Sequence, residues 1–554
     1  MKAEKLILGN FTTMDEGKPF AKAMIVADGR IRYVGSVKSA KALCDENTQV
    51  MDYGESFIYP GFLEAHAHPM FTGYRAIGQA DLTPVVPADP EKYAAVIREF
   101  MAKNPDKEAY LAAGWAEDDN PEINASLLDK ICPDKSLAMN TAGGHSILLN
   151  TKAKEFLGVD ASFVKKWEAG LVRVDENGEP IGYLCEAPCV AILASAPISV
   201  KEAKEYVLWW QDFAFRNGFT GTSDAGTELI HKNAAAAHEE LQREGKLKLR
   251  TYAYLMVKDN VDDPKARIEK IAQYAKENSG EYYDVVGAKV FLDGVTEAHT
   301  SWLVEDYKDQ PGYHGNERFY DRKKMIELIA EAAKHGLSVH AHSEGDGATG
   351  FFLDCVEEAQ RKTGITDQRN AAAHLHFVTP EDIQRMADTN TVAVVPPLWT
   401  AKIPGMIEQE YSYVGKEKSD KSYPIKSFFD AGAVTVFHSD YPVSPSFNAP
   451  LSVYMAVKRL FPAGVREGFG GPETRRGIEE AITREQALLA MTKNVARMWH
   501  QEDKIGSLEV GKIANMTILD MDLLHEDIEK IPLAKILATV VDGEEVYSCG
   551  KIYE

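Results

Sequence analysis

The chain has 554 residues, and at roughly 150 residues per domain this suggests about three or four units, or one large barrel with elaborations. Its 62 basic residues against 84 acidic ones leave a net charge of −22. That field repels phosphate backbones and anionic lipid, and no basic patch offsets it. With 45% apolar and 26% charged residues the usage is globular, which excludes a disordered, collagenous or disulfide-scaffold chain.

The first residues, Met1 to Lys5 and a short apolar run, lack the apolar stretch and small-residue cleavage site of a secretory signal. No segment approaches the ~20 apolar residues that span a bilayer. Six cysteines with no C-x-x-C pair argue against a disulfide framework or a thiolate zinc site, and Cys185 and Cys189 read as small buried side chains. A soluble, cytoplasmic protein is expected, its partners being a small-molecule substrate and at most a second copy of the chain, with neither nucleic acid nor membrane.

Residues 1–59 read as short extended pieces separated by Gly, Asp and Asn, and residues 500–554 have the same texture, with Asp-Gly and Cys-Gly turns between alternating apolar positions. A lone hairpin is marginal in water, so the two ends are expected to join in one composite β-sandwich domain. Residues 60–75 and 201–499 alternate short apolar runs with helical patterns, the signature of βα units. Strands are predicted at 219–224, 250–257, 285–292, 337–342, 370–375, 391–396 and 434–439, with Ser56 to His66 as the first. Helices are predicted between them, the last over 478–498. Eight such strands make an α/β fold of the (β/α)₈ TIM-barrel type, whose reactive groups lie at the carboxyl ends of the strands. Residues 76–200, with a Gly-rich loop at Gly143-Gly144, are too long for a connector and read as an inserted α/β subdomain near the active site.

The histidines fall where a barrel site would be built. His66 and His68 stand two apart at the end of an apolar strand, so their rings leave the same face and form a natural borderline-soft metal site. His340 with His342, and His374 with His376, also end predicted strands, and Asp440 follows the last. A bare H-x-H is common and an Asp there is also a turn residue; the threefold recurrence at strand ends is what favours a metal site. Lys289 lies inside GAKVFLDG, a buried-strand pattern in which an ammonium is costly unless paired or chemically changed.

Taken in order, PGFLEAHAHP, the Gly114-Trp115 pair, GGHSILLN, GFTGTSDAG, AKVFLDG, VHAHSEGD, RNAAAHLH, HSDYPV and GSLEVGKIANMTILD resemble the amidohydrolase superfamily, and within it the amidohydrolase-3 or YtcJ-like subgroup that includes N-substituted formamide deformylases. The resemblance implies that His66 and His68 bind one divalent cation and His342 and His374 a second, with Lys289, N6-carboxylated, bridging them and Asp440 touching the first. Two zinc ions suit such donors, although Mn, Fe, Co or Ni would be accepted too. It further implies metal-activated hydroxide attacking a non-peptide C–N bond of an N-acyl, N-formyl or cyclic amide, with Asp440 as general base and then acid.

His340 and His342 both remain candidates for the fifth-strand ligand, the pattern preferring His342. Trp115, His145 and Glu186 match recurrent positions that can face a substrate. Of these, Trp115 reads first as core and His145 as a substrate-orienting donor with a catalytic role. His376, Trp399 and Tyr441 are further candidates for the substrate side. Glu64, Ala373 and Asn515 depart from the pattern, Ala373 where a change can alter a hydrogen bond behind the metals. Alternative readings are a mononuclear deaminase of an amidine or heterocycle, which Lys289 disfavours, a non-catalytic barrel scaffold, and a barrel lyase or isomerase.

Overall fold

In a computed structural model of the chain, the described residues are 3–85, 89–115, 122–141, 145–194, 197–227, 232–319, 321–464 and 470–550. Gly143-Gly144 lie outside them. The chain divides into two compact units, Met1–Pro69 with Trp210–Leu229 and His238–Glu554, and Met70–Trp209 with Ile230–Ala237. The inserted unit is therefore longer than the expected 76–200. It starts where the apolar strand carrying the first histidines has ended, and it keeps the helix over 200–209 that the sequence pattern assigned to the barrel.

Within the larger unit, eight parallel strands run in sequence order around a barrel: Phe62–Ala67, Phe219–Thr227, Arg250–Met256, Tyr283–Phe291, Ser338–Ser343, Ala371–His374, Val392–Val395 and Thr435–Phe437. Hydrogen bonds just past the strand ends join the last to the first, from Asp440 N to His66 O at 3.0 Å and from His68 N to Tyr441 O at 3.0 Å. The first barrel strand begins at Phe62 because Gln49–Pro60 belongs to the terminal sheet, and Pro60, Gly61 separates the two roles. Ala371, Ala373, Val392, Val394 and Val436 pack with Leu63, Tyr252, Tyr254 and Trp499 in one buried core. Ala373 is thus an apolar packing residue, which rules out a hydrogen bond from its own side chain to the donors.

The expected helix over 478–498 is broken into Arg484–Ala490 and Lys493–Met498, because Met491 and Thr492 leave helical geometry where Leu63 N donates to Met491 O at 2.9 Å. Between the seventh and eighth strands the chain forms helices Met406–Val414, Lys416–Asp420 and Ile425–Ala431, which the sequence reading left unassigned.

The two termini share one seven-stranded sheet, in which Gln49–Pro60 lies between Lys5–Thr12 and Met516–Leu519. The sheet folds over on itself: Arg30 bridges Ile513, and Ile31 N donates to Lys512 O at 2.9 Å. Ile7, Met24, Val26, Met51, Ile518 and Val540 fill the enclosed core. The Asn515 side chain serves this domain, accepting from Asp542 N at 2.9 Å.

The inserted unit has its own six-stranded sheet, Val172–Val174, Pro180–Cys185, Ser146–Leu149, Ser136–Thr141, Ala109–Trp115 and Ala80–Asp81 in spatial order. Helix Pro90–Lys103 packs Tyr93, Ala94 and Ile97 into its core. No helix among the described residues is long and apolar enough to cross a membrane.

Candidate metal centre

At the carboxyl ends of the barrel strands, His66 Nε2 lies 3.3 Å and His68 Nε2 3.1 Å from Asp440 Oδ1. The three ligand atoms all fall within 4.8 Å of one another. Asp440 Oδ1 is fully buried and receives no hydrogen bond of good geometry. Burial pushes the Asp440 carboxyl up, but contact with His68 and the nearby His374 and His438 rings outweighs it and holds the group below the usual carboxylate range. Burial keeps His66 and His374 neutral by pushing both well below the usual imidazole value. Neutral imidazole and ionised carboxylate are the ligating forms.

The two fifth-strand candidates differ in their contacts. His340 Nε2 is 2.8 Å from His66 Nδ1, so it is spent on orienting the His66 ring. His342 is anchored instead through Nδ1, 3.0 Å from Asp293 Oδ1. Among the described residues its ring makes only this hydrogen bond, and its centroid lies 4.5 Å from that of His374. Asp293 is fixed in turn by the backbone N–H groups of Gly345 at 2.8 Å and Trp302 at 3.1 Å. His374 adopts φ 83°, a left-handed conformation that costs a β-substituted residue about 1–3 kcal/mol.

Lys289 sits opposite His340 in the strand register and is fully buried, its Nζ without a hydrogen-bond partner. Burial pulls its pKa down to about 7. A buried amine with a substantial neutral fraction at neutral pH is chemically suited to take up CO₂. These orphaned donors, with His374 Nδ1, fit a divalent cation centre of nitrogen and oxygen ligands.

Three groups at this site went unassigned in the sequence reading. His438 has both ring nitrogens buried and unpartnered, its centroid 5.0 Å from His374 and 5.2 Å from His66. Its signal lies in HSDYPV, where Asp440 and Tyr441 alone are assigned from the sequence. Glu64 and Asp293 hold the site from behind, and a single Asp or Glu near a strand end gives no distinctive pattern.

Trp399 stacks on His374 with centroids 5.6 Å apart and planes at 10°, and its Nε1 donates to Ser444 at 2.8 Å. Tyr441 packs on Trp210 and Phe213. His376 is buried between Phe377 and Tyr423, with Nδ1 3.6 Å from Glu344 and Nε2 3.4 Å from Glu410. It braces these carboxylates.

In the inserted unit, Trp115 is a core residue, 3% exposed and edge-on to Tyr183, so the substrate-side assignment gives way to packing. His145 and Glu186 are exposed there, with Nδ1 and Oε2 3.3 Å apart and Glu186 N donating to His145 O at 2.7 Å.

A family model described as the amidohydrolase family matches residues 49–547. The chain belongs to the amidohydrolase family. Among its relatives, Protein LONG AFTER FAR-RED 3 of Arabidopsis thaliana is 26% identical, covering 97% of this chain and 90% of that protein. YtcJ of Bacillus subtilis (strain 168) is 25% identical, covering 97% and 98%. The N-substituted formamide deformylase of Arthrobacter pascens is 25% identical, covering 98% of each. The solved structure of an uncharacterized metal-dependent hydrolase from Pyrococcus furiosus superposes with a TM-score of 0.75 at 23% identity, over 94% of this chain and 99% of that one. As an amidohydrolase of the YtcJ-like subgroup, the protein is a hydrolase of carbon–nitrogen bonds.

Proposed function

We propose that this amidohydrolase is a metal-dependent enzyme that cleaves a non-peptide C–N bond in a small N-acyl, N-formyl or cyclic amide. The observation that carries the reading is the convergence of buried His66 and Asp440 with half-buried His68. The formamide deformylase relative supports the bond type.

In this reading His66, His68 and Asp440 would hold one divalent cation and His342 and His374 a second, both zinc, and Lys289, N6-carboxylated, would serve both. The metals supply, when bound, a lowered water pKa and polarisation of the carbonyl under attack. Asp440, kept ionised by its imidazole neighbours, takes the proton on a carboxylate oxygen and passes it to the departing nitrogen. His340 keeps the His66 ring in one orientation, as Asp293 does for His342.

The test is bound metal per chain for protein purified with bicarbonate, native and Lys289→Ala, followed by amine release from N-acyl and N-formyl amines. Two equivalents falling to one or fewer in the variant, with amine release reduced about 10²–10⁴-fold in Asp440→Asn, is the expected result. One equivalent unaffected by Lys289→Ala would favour a mononuclear, deaminase-like centre. No metal under replete conditions would favour a barrel scaffold without catalysis.

A further inference from the structure

Beside the donors lies a cavity of about 380 Å³, built from the segments that follow the fourth, fifth, seventh and eighth barrel strands. Trp399, whose ring stacks on His374, is the wall it shares with the metal centre. Much of the lining is apolar, including Leu398, Ile407, Val443 and Phe461. Three carboxylates also line it: Glu297, Glu344 and Glu410.

Two of the three are satisfied from within the protein. Glu410 is paired with Arg476, at 2.8 and 3.1 Å. Glu344 accepts from Ser301 Oγ at 3.0 Å and from Thr296 N and Oγ1 at 3.3 Å. Glu297 is the most exposed of the three and forms no ion pair with a described residue; burial and the fields of Glu344 and Glu410 push its carboxyl up, while His376 and its own backbone N–H draw it down. His376 and Arg476 offset Glu344 and Glu410, which leaves Glu297 as the open carboxylate of the cavity, where an ammonium gains a charge-assisted hydrogen bond.

We infer that the cavity selects substrates carrying a protonated amine besides the scissile amide, with Glu297 as the residue that receives the ammonium and Trp399 and Phe461 covering the carbon chain between. This rests on the hydrolytic reading above and narrows it to mono-acylated diamines and similar amino-amides. The overall charge of −22 favours the approach of such cations.

The probes are N-acetylcadaverine and its uncharged counterpart N-pentylacetamide, measured by calorimetric binding and by amine release on the native enzyme and on Glu297→Gln and Glu297→Lys. The native enzyme is expected to prefer the charged probe by about tenfold or more in both readouts, as a charge-assisted hydrogen bond supplies. Glu297→Gln should bring that ratio toward one, and Glu297→Lys should shift the preference toward N-acetyl-6-aminohexanoate. The lysine variant keeps the test meaningful, since gain of a new preference requires a folded cavity. Equal binding of the two cadaverine-length probes, or a preference unmoved by both variants, overturns the inference while leaving hydrolysis of neutral amides intact. Glu297-dependent binding of the charged probe without amine release from any amide supports the cation pocket and removes the hydrolytic reading.

Discussion

Glu64, on the first barrel strand, accepts the backbone N–H of Ser439, beyond the last, on its two carboxyl oxygens at 3.0 and 3.2 Å. The same carboxyl takes the His66 N–H at 2.9 Å. One side chain thus ties the histidine strand to the segment that presents Asp440, and burial pushes it up to about 8, so it is mostly uncharged at neutral pH. Glu64→Ala strands two buried N–H groups, and a loss of about 2–4 kcal/mol is expected in urea unfolding. Metal content should fall with it, whereas Glu64→Gln, which keeps an acceptor, should lose less of both.

His340 and His342 are two residues apart and make different contacts, His340 with His66 and His342 with Asp293, so their alanine variants should differ in kind. His342→Ala is expected to lower the number of metal equivalents per chain. His340→Ala should keep the number while weakening retention about 10–100-fold in chelator competition, because only the orientation of His66 is lost. The reverse pattern would make His340 the ligand.

The eight strands were legible because each is a short apolar run closed by a turn signal, and the histidines stood at their ends. The helices over 406–431 were not, since their sequences carry charges on several faces and lean on contacts distant in the chain, such as Glu410 with Arg476. The donors of the metal centre were readable as residue types, but the choice between His340 and His342 was not. It depends on which ring nitrogen faces a neighbour, a matter of side-chain direction that spacing does not carry. His438 was missed for the same reason, as one imidazole beside an Asp looks like a turn until both its nitrogens are seen to be enclosed.

Asp420 ends one of those helices and receives Lys402 Nζ at 2.8 Å and Tyr411 O–H at 2.9 Å, with Lys416 also in contact. Burial raises its carboxyl, but these donors outweigh burial and bring it down to about 2. A depressed folded value means that its stabilisation is complete above the unfolded pKa of about 3.9 and fades as pH falls through about 2. Screening at this partly exposed site limits it to about 1 kcal/mol. Asp420→Asn should therefore lower the unfolding midpoint at pH 7 and make little difference near pH 2, as read by thermal unfolding across that range.

The cysteines offer a check on burial. Cys549 is exposed, Cys44 and Cys185 are partly covered, and Cys132, Cys189 and Cys355 are buried. Cys185 is thus more open than its small size suggested. Burial pushes the Cys189 thiol up to about 11 and that of Cys355 to about 12. A thiol-reactive dye should label Cys549 fastest, Cys44 and Cys185 more slowly, and the remaining three only on unfolding.

The strand Gln49–Pro60 pairs on one side with the beginning of the chain and on the other with Met516–Leu519, and it leads within two residues into the strand that carries His66 and His68. During synthesis that second edge stays open until Met516–Leu519 has left the ribosome. The strand that carries His66 and His68 is therefore fastened on its upstream side by a segment made about 450 residues later, and a nascent chain cut short before residue 516 would expose a sheet edge beside those two histidines.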